Sequence, residues 1–406
     1  SDVCSSDLVA DHRPGTDSTL YVYDLRDRLV MKQDGNLRQR GKWMVNKHDA
    51  LNRVVIAALY TPSAATGRLV IQQQLSTTLF AERFDGTTTL LGYSNTVFPT
   101  TGLEVLSVNY FDNYDFLQLP GTGLSYIHEG ITATAGNFTY RQDTLALKRV
   151  TGLKTGAREL VLNGKSTPDF IRSAYWYDRN GRLAQETKDL YLGSAITGTR
   201  RTTMVYDFTG NILRSVITHL PGTTSQLIVD RKSTWDGSGR PLRLTQKIGT
   251  LPEVIISDRQ YDEAGRLKQL RLHSPDGGMT YRQTLDHRYN VRGWLLGVND
   301  AHLAYDTTGD YFGFNLLYDE SNAALGNAPR FDGTPSAMRW SANLGQSSEQ
   351  ERAWRFSYDP MVRLRDAEFR SLRGTWNSGN ANRETAGAFD QNGNIRTLKD
   401  RKSTRL

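Results

Sequence analysis

Residues 261–267 read YDEAGRL and residues 177–183 read YDRNGRL: an aromatic residue, an aspartate, two variable positions, then Gly-Arg-Leu. The phrase returns seven more times, as YDLRDRL from Tyr23, HDALNRV from His48, YDFTGNI from Tyr206, WDGSGRP from Trp235, YNVRGWL from Tyr289, YDPMVRL from Tyr358 and FDQNGNI from Phe389. Successive copies are 25, 129, 29, 29, 26, 28, 69 and 31 residues apart. A period near 28 with two interruptions is the mark of a repeat array.

The phrase has a direct physical reading as a turn. An aspartate at its start accepts backbone hydrogen bonds from residues just ahead and closes an Asx-type turn. The residues in that place are Asp24, Asp49, Asp178, Asp207, Asp236, Asp262, Asp359 and Asp390, with Asn290 in the ninth copy. Three residues on, the chain needs a positive φ to re-enter a strand through a bulge. Gly181, Gly210, Gly239, Gly265, Gly293 and Gly393 suit that place, and Asp27 and Asn52 tolerate it. Val362 is the exception, and a β-branched residue there predicts strain or a different turn. The aromatic residues Tyr23, His48, Tyr177, Tyr206, Trp235, Tyr261, Tyr289, Tyr358 and Phe389 would lie on hairpin arms and pack across them.

Segments after the turns alternate as strands do. In LRLTQKI (242–248), Leu242, Leu244 and Ile248 face one way and Arg243, Thr245 and Lys247 the other. A 28-residue unit holds two strands and two turns. The fold class expected is all-β, a ribbon of antiparallel hairpins. The 7 Trp, 19 Tyr and 14 Phe supply apolar surface for a core. The longest apolar run, Val54–Tyr60, is too short for a membrane-spanning helix.

The nine copies resemble the YD repeats of RHS-repeat proteins, which also occur in toxin-complex C components and teneurins. The connecting text LGYSNTVFPTTGLEVLSVNYFD (91–112), STPDFIRSAYWYDRNGRL (166–183), HSPDGGMTYRQTLDHRYNVRGWLLGVND (273–300) and FGFNLLYD (312–319) is similar to Bacteroidota members of that family. The resemblance implies a ribbon of hairpins that spirals into a shell. In toxin members that shell encloses a variable C-terminal effector, so it implies an effector partner and a secreted or surface location.

Domain organisation follows from the spacing. YD repeats are expected over 9–60, degenerate hairpins or an inserted β region over 61–170, regular repeats over 171–300, and repeats with a long surface loop at 319–350 over 301–399. A second loop is expected at 374–385. Residues 1–8 (SDVCSSDL) and 400–406 (DRKSTRL) resemble translated sequencing-adapter DNA, so 9–399 is expected to be an internal piece of a longer protein. Cys4, the one cysteine, falls in the first of these segments, which leaves no disulfide framework and no Cys-based metal site.

Signals for chemistry are weak. The seven histidines show no HxH or HExxH spacing, and no G-x-S-x-G elbow occurs. Gly164-Lys165-Ser166 resembles the end of a phosphate loop, but Glu159 stands where the upstream glycine is required, so an Asn163-Gly164 turn is expected. Asp390, Asn392 and Asn394 have the spacing of a calcium loop without its terminal glutamate. Nine equivalent aspartates suit nine equivalent turns, whereas acid–base catalysis needs two unlike carboxylates. The net charge of +7 is spread without a long basic run, which gives no specific nucleic-acid site. The expectation is a non-catalytic shell segment with no cofactor. The alternative is an adhesive surface protein whose exposed Trp and Tyr stack on glycans.

Overall fold

The computed structural model describes residues 8–12, 17–64, 66–75, 78–87, 90–121, 123–222, 226–302, 309–343, 351–373, 375–377 and 382–402. Most of the two adapter-like ends, residues 344–350 of the first expected loop and residues 374 and 378–381 of the second lie outside the described residues. The chain divides into two compact units, residues 1–232 with 247–250, and residues 233–246 with 251–406.

In the first unit each strand runs antiparallel to the next in chain order. The succession is Ala10–Asp11, Thr19–Tyr23, Leu29–Gln33, Trp43–His48, Val54–Tyr60, Leu103–Asp112, Val150–Leu160, Phe170–Tyr177, Leu183–Leu192, Ala195–Tyr206, Ile212–Pro221 and residues 227–232. The second unit follows the same rule through Pro241–Ile248, Val254–Tyr261, Leu267–Ser274, Gln283–Tyr289, Leu295–Val298, Phe312–Leu317, Ala337–Ala342, Arg352–Tyr358 and Leu364–Arg373. Thr375–Asn377 and Asn382–Phe389 both pair with Leu364–Arg373, and Ile395–Lys402 pairs with Asn382–Phe389. The all-β expectation is met. Two short helices, Gly35–Gln39 and Arg68–Gln74, interrupt it.

The ladder shows why the turn phrase needs its fifth residue. At Tyr23, His48, Tyr177, Tyr206, Tyr261, Tyr289, Tyr358 and Phe389 the register shifts immediately before the aromatic residue. One extra residue is thus absorbed as a bulge, which adds right-handed twist at every turn. A further bulge opposite Leu244 and Thr245 leaves Ile256 of the facing strand without a register partner, and Ile248, read as facing inward, is exposed.

Residues 61–168 carry two ladder strands, Leu103–Asp112 and Val150–Leu160, rather than a row of degenerate hairpins. The rest forms excursions: the helix Arg68–Gln74, a 3-10 turn at Asp115–Gln118 and a separate two-stranded piece, Thr132–Ala135 with Phe138–Arg141. These excursions cover the sheet and make its core. Phe116 lies parallel to Tyr110 with ring centroids 4.5 Å apart, in a cluster with Val55, Val108, Leu119, Ala174 and Trp176. Gly156 leaves room for the Phe116 ring, because a Cβ there would lie 2.3 Å from it. Ile71, the one buried residue of its helix, joins Val22, Met31, Trp43 and Val45.

Two expected loops need correction. Within 319–350, residues Ala337–Ala342 form a ladder strand and Leu325 is fully buried beside Leu317, Ala337 and Ala353. Small residues at 336, 337 and 341 let the covering segment approach, a packing reason that composition alone had made look like loop chemistry. Within 374–385, residues Thr375–Asn377 and the start of Asn382–Phe389 are strand.

Candidate functional site

The nine repeated turns share one hydrogen-bond pattern, seen plainly at Asp178. Its N–H donates to the Arg182 carbonyl at 2.8 Å, and the Gly181 N–H donates back to its own carbonyl at 2.9 Å. Its Oδ1 accepts the N–H groups of Asn180 and Arg182, both at 2.9 Å. Its Oδ2 accepts Arg182 Nε at 2.7 Å. The same side-chain latch from Arg joins Asp24, Asp49, Asp236, Asp262 and Asp359 to the residue four places on. Where Arg is replaced, Asn211 and Asn394 donate their Nδ2 to Asp207 and Asp390 at 3.0 and 2.9 Å. Asn290 keeps only the backbone part, accepting from Arg292 and Trp294 at 3.0 and 2.9 Å.

The position three residues after the aspartate is left-handed in every copy, with φ between 58° at Asp27 and 98° at Gly210. Val362 adopts it too, at 63°, and its N–H still reaches Asp359 O at 2.9 Å. The different turn allowed for at Val362 is not taken; the latch holds the β-branched residue in the strained conformation.

The arginine, to which the sequence reading gave no role, also reaches the following turn. In the first unit Arg182 lies 4.7 Å over the Tyr206 ring and donates to Asp207 O at 2.6 Å, while the Tyr206 hydroxyl donates to Leu183 O at 2.7 Å. Arg28 similarly reaches Asn52 Oδ1 at 2.9 Å. In the second unit Arg240 lies over Tyr261, Arg266 over Tyr289 and Arg363 over Phe389, at 4.5, 4.9 and 4.2 Å. Tyr261 and Tyr289 return hydroxyl bonds to Pro241 O and Leu267 O. Where the turn keeps its arginine, cation–π contact or a hydrogen bond joins it to the next turn within a unit.

Two further rungs escaped the sequence reading. Arg53 makes a two-pronged bond to the Asp112 carboxylate at 2.9 and 2.5 Å and lies 4.3 Å over Phe111. Tyr318 donates to Leu295 O at 3.1 Å and packs 5.2 Å from Trp294, and Arg330 lies 4.4 Å over Tyr358. Phe111-Asp112 and Tyr318-Asp319 keep the aromatic-aspartate pair without the Gly-Arg that follows it elsewhere. Tyr318 stands 29 residues after Tyr289, which is the signal that could have found it.

The carboxylates are tuned to this task. Burial alone would raise the Asp24 pKa, but the Arg28 side chain and the backbone N–H groups of Arg28 and Arg26 hold it below the usual range. At Asp262 the backbone bond from Arg266 is the main cause of the same lowering. Each oxygen of Asp390 accepts N–H groups, from Asn392 and Asn394 on one side and the Asn394 amide on the other, which is turn chemistry rather than calcium ligation. Lys165 is held by Asp169 and by Ser194 O, in a turn with Gly164 at φ 71°. Among the described residues no three His, Cys, Asp or Glu side chains converge as a metal site. An open groove of about 790 Å³ borders the turns at Asp178 and Asp207, lined by Asp143, Leu145, Arg179 and Phe208.

No protein-family profile matches the sequence, and no curated protein does. Solved structures match its fold at low identity. They include a crystal structure of TcdB2-TccC3 without the hypervariable C-terminal region (13% identity, TM-score 0.47) and one of TcdB2-TccC3-TEV (14%, 0.46). A Photorhabdus luminescens Tc holotoxin pore structure is a third (13%, 0.46). Each match covers 97% of this chain and 16% of the other, so the chain spans about a sixth of their length.

Two outcomes are expected. Val362→Gly should raise unfolding stability by about 1 kcal/mol, and Gly265→Val should lower it by more than about 1 kcal/mol, because only the first relieves a positive φ. Equal midpoints in urea would refute the turn assignment. Asp24→Ala should cost about 2–4 kcal/mol at neutral pH, since it strands the buried Arg28 guanidinium. The folded pKa of Asp24 lies below the unfolded value of about 3.9, so its contribution is present above that pH and fades as the pH falls through the folded value. The gap between Asp24→Ala and the parent chain should therefore narrow in acid, and a gap that is unchanged or wider at pH 3 contradicts this.

Proposed function

We propose that the chain is a non-catalytic segment of the wall of an RHS/YD-repeat shell, and that the complete protein uses the shell to enclose a C-terminal effector. The observation that carries this reading is the latch that joins successive turns within each unit. A wall must satisfy its own backbone, leave no sheet edge between neighbours and resist local opening. Strand order that follows chain order, with Arg182 tied to Tyr206, Arg240 to Tyr261 and Arg266 to Tyr289, supplies those properties.

The carboxylates support the non-catalytic side of the reading. Turn aspartates already hold two to four N–H donors each, so they are committed to geometry rather than to proton transfer. The adhesive alternative has less behind it, because all seven tryptophans are buried or half-buried. Among the described residues the exposed aromatic rings are Phe138, Phe208, Phe331, Phe312 and Tyr311. A secreted or surface location goes with the enclosing role.

Limited proteolysis of the complete polypeptide tests the reading. The effector portion should resist protease while the wall is intact and become sensitive when the wall is opened, for example by replacing several turn aspartates together. If the effector portion is cut as fast within the complete polypeptide as when expressed alone, the enclosing role is wrong.

A further inference from the structure

Just before the turn that begins at His48, the strand Trp43–His48 buries a lysine. The Lys47 side chain is 1% exposed, and that of its ion-pair partner Glu82 is fully buried. Lys47 Nζ donates to Glu82 Oε1 at 2.7 Å, to Asn95 Oδ1 at 2.9 Å and to Val97 O at 2.7 Å. The Glu82 carboxylate also accepts the Val97 N–H at 3.0 Å, the Ser94 hydroxyl at 2.6 Å, and the Thr96 N–H and hydroxyl at 3.0 and 3.3 Å. Asn95 is half-buried, and its amide nitrogen donates to Thr100 O at 2.7 Å. An amine, a carboxamide and a carboxyl group thus meet at one place, although the chain separates the lysine from its partners by 35 and 48 residues.

That is the set of groups an amide exchange requires. The oxygen that Lys47 touches is bonded to Asn95 Cγ, so the amine lies beside the carbonyl carbon it would attack once it has lost a proton and left that hydrogen bond. Holding reactants in this way replaces an encounter in solution with an intramolecular step. We propose that Lys47 and Asn95 join in an intramolecular isopeptide bond, with Glu82 as the proton carrier.

The step balances without a co-reactant. Glu82 takes a proton from the Lys47 ammonium and frees the Nζ lone pair. Nζ attacks Asn95 Cγ, and Glu82 returns the proton to the oxygen that becomes charged. Collapse re-forms the carbonyl and breaks the Cγ–Nδ2 bond: Nδ2 leaves with the second Nζ proton as ammonia, and the hydroxyl proton passes through Glu82 to that ammonia. Ammonium and carboxamide become a secondary amide and an ammonium ion, and nothing is oxidised or reduced.

The surroundings act on the first proton transfer in both directions. Burial lowers the Lys47 pKa, and the Glu82 interaction offsets that only in part. Two ions that have lost their hydration make a neutral amine and carboxylic acid more accessible than they would be in water. Burial would raise the Glu82 pKa, but its hydrogen bonds hold it low, so proton transfer is the uphill step. The product would staple the covering excursion to the sheet covalently, independently of any shell role.

The test is mass spectrometry of the folded full chain. The expected result is an intact mass short by one ammonia and a peptide joining Lys47 to Asn95. Glu82→Gln, which keeps the side chain's shape, and Asn95→Ala, at a half-buried site, should both abolish the loss of ammonia and separate the peptides, in chains whose circular dichroism matches the parent's. Asn163-Gly164, Asn180-Gly181 and Asn392-Gly393 can also lose ammonia by succinimide formation, so the joined peptide decides the matter. Full mass with separate peptides in the folded parent chain, or a loss that maps to one of those three asparagines, would overturn the proposal.

Discussion

The structure depends on a carboxylate that closes a turn by accepting the chain's own N–H groups. An aspartate side chain has about four acceptor positions, and a five-residue hairpin turn leaves unpaired backbone donors at its tip. In these turns Oδ1 takes two backbone N–H groups and Oδ2 takes the arginine or asparagine four residues on. Charge-assisted bonds of this kind are stronger than neutral ones, and they are made within a few residues of the aspartate. The turn therefore carries its own geometry wherever it occurs, which is what an array needs.

From that local unit the longer order follows. A fixed turn with a fixed bulge sets the twist of each hairpin, and the arginine that completes one turn lies over the aromatic ring of the next. Contacts therefore stay between neighbours in the chain, as in other repeat proteins. The first unit adds excursions that the repeat does not require. Phe116, Ile71 and Glu82 belong to these, Glu82 pairing with Lys47 of the sheet, and they give that part of the sheet a covered core.

The parts of the fold legible in the sequence were those written in short-range chemistry. Asp178, Gly181 and their equivalents stand in turns because aspartate spacing and a left-handed position are local requirements. The reach of Arg182 to Tyr206 was hidden, because a basic residue on a strand reads as solvent-facing until its neighbour is known. Tyr318 and Phe111 were passed over because their turns lack the Gly-Arg that completes the phrase. The strand at 337–342 was obscured by small polar residues, which composition assigns to loops and tight packing also selects. Glu82 carried no signal at all, since a buried carboxylate is defined by a lysine 35 residues away.

Residue-resolved hydrogen exchange on the native chain tests the latch most directly. The amides of Arg28, Arg182, Arg240, Arg266 and Arg363 each donate to a turn Asp Oδ1. They should exchange as slowly as the amides of the strands they join. Exchange at the rate of an open loop, while the flanking strands stay protected, would contradict the claim that these carboxylates hold the array together.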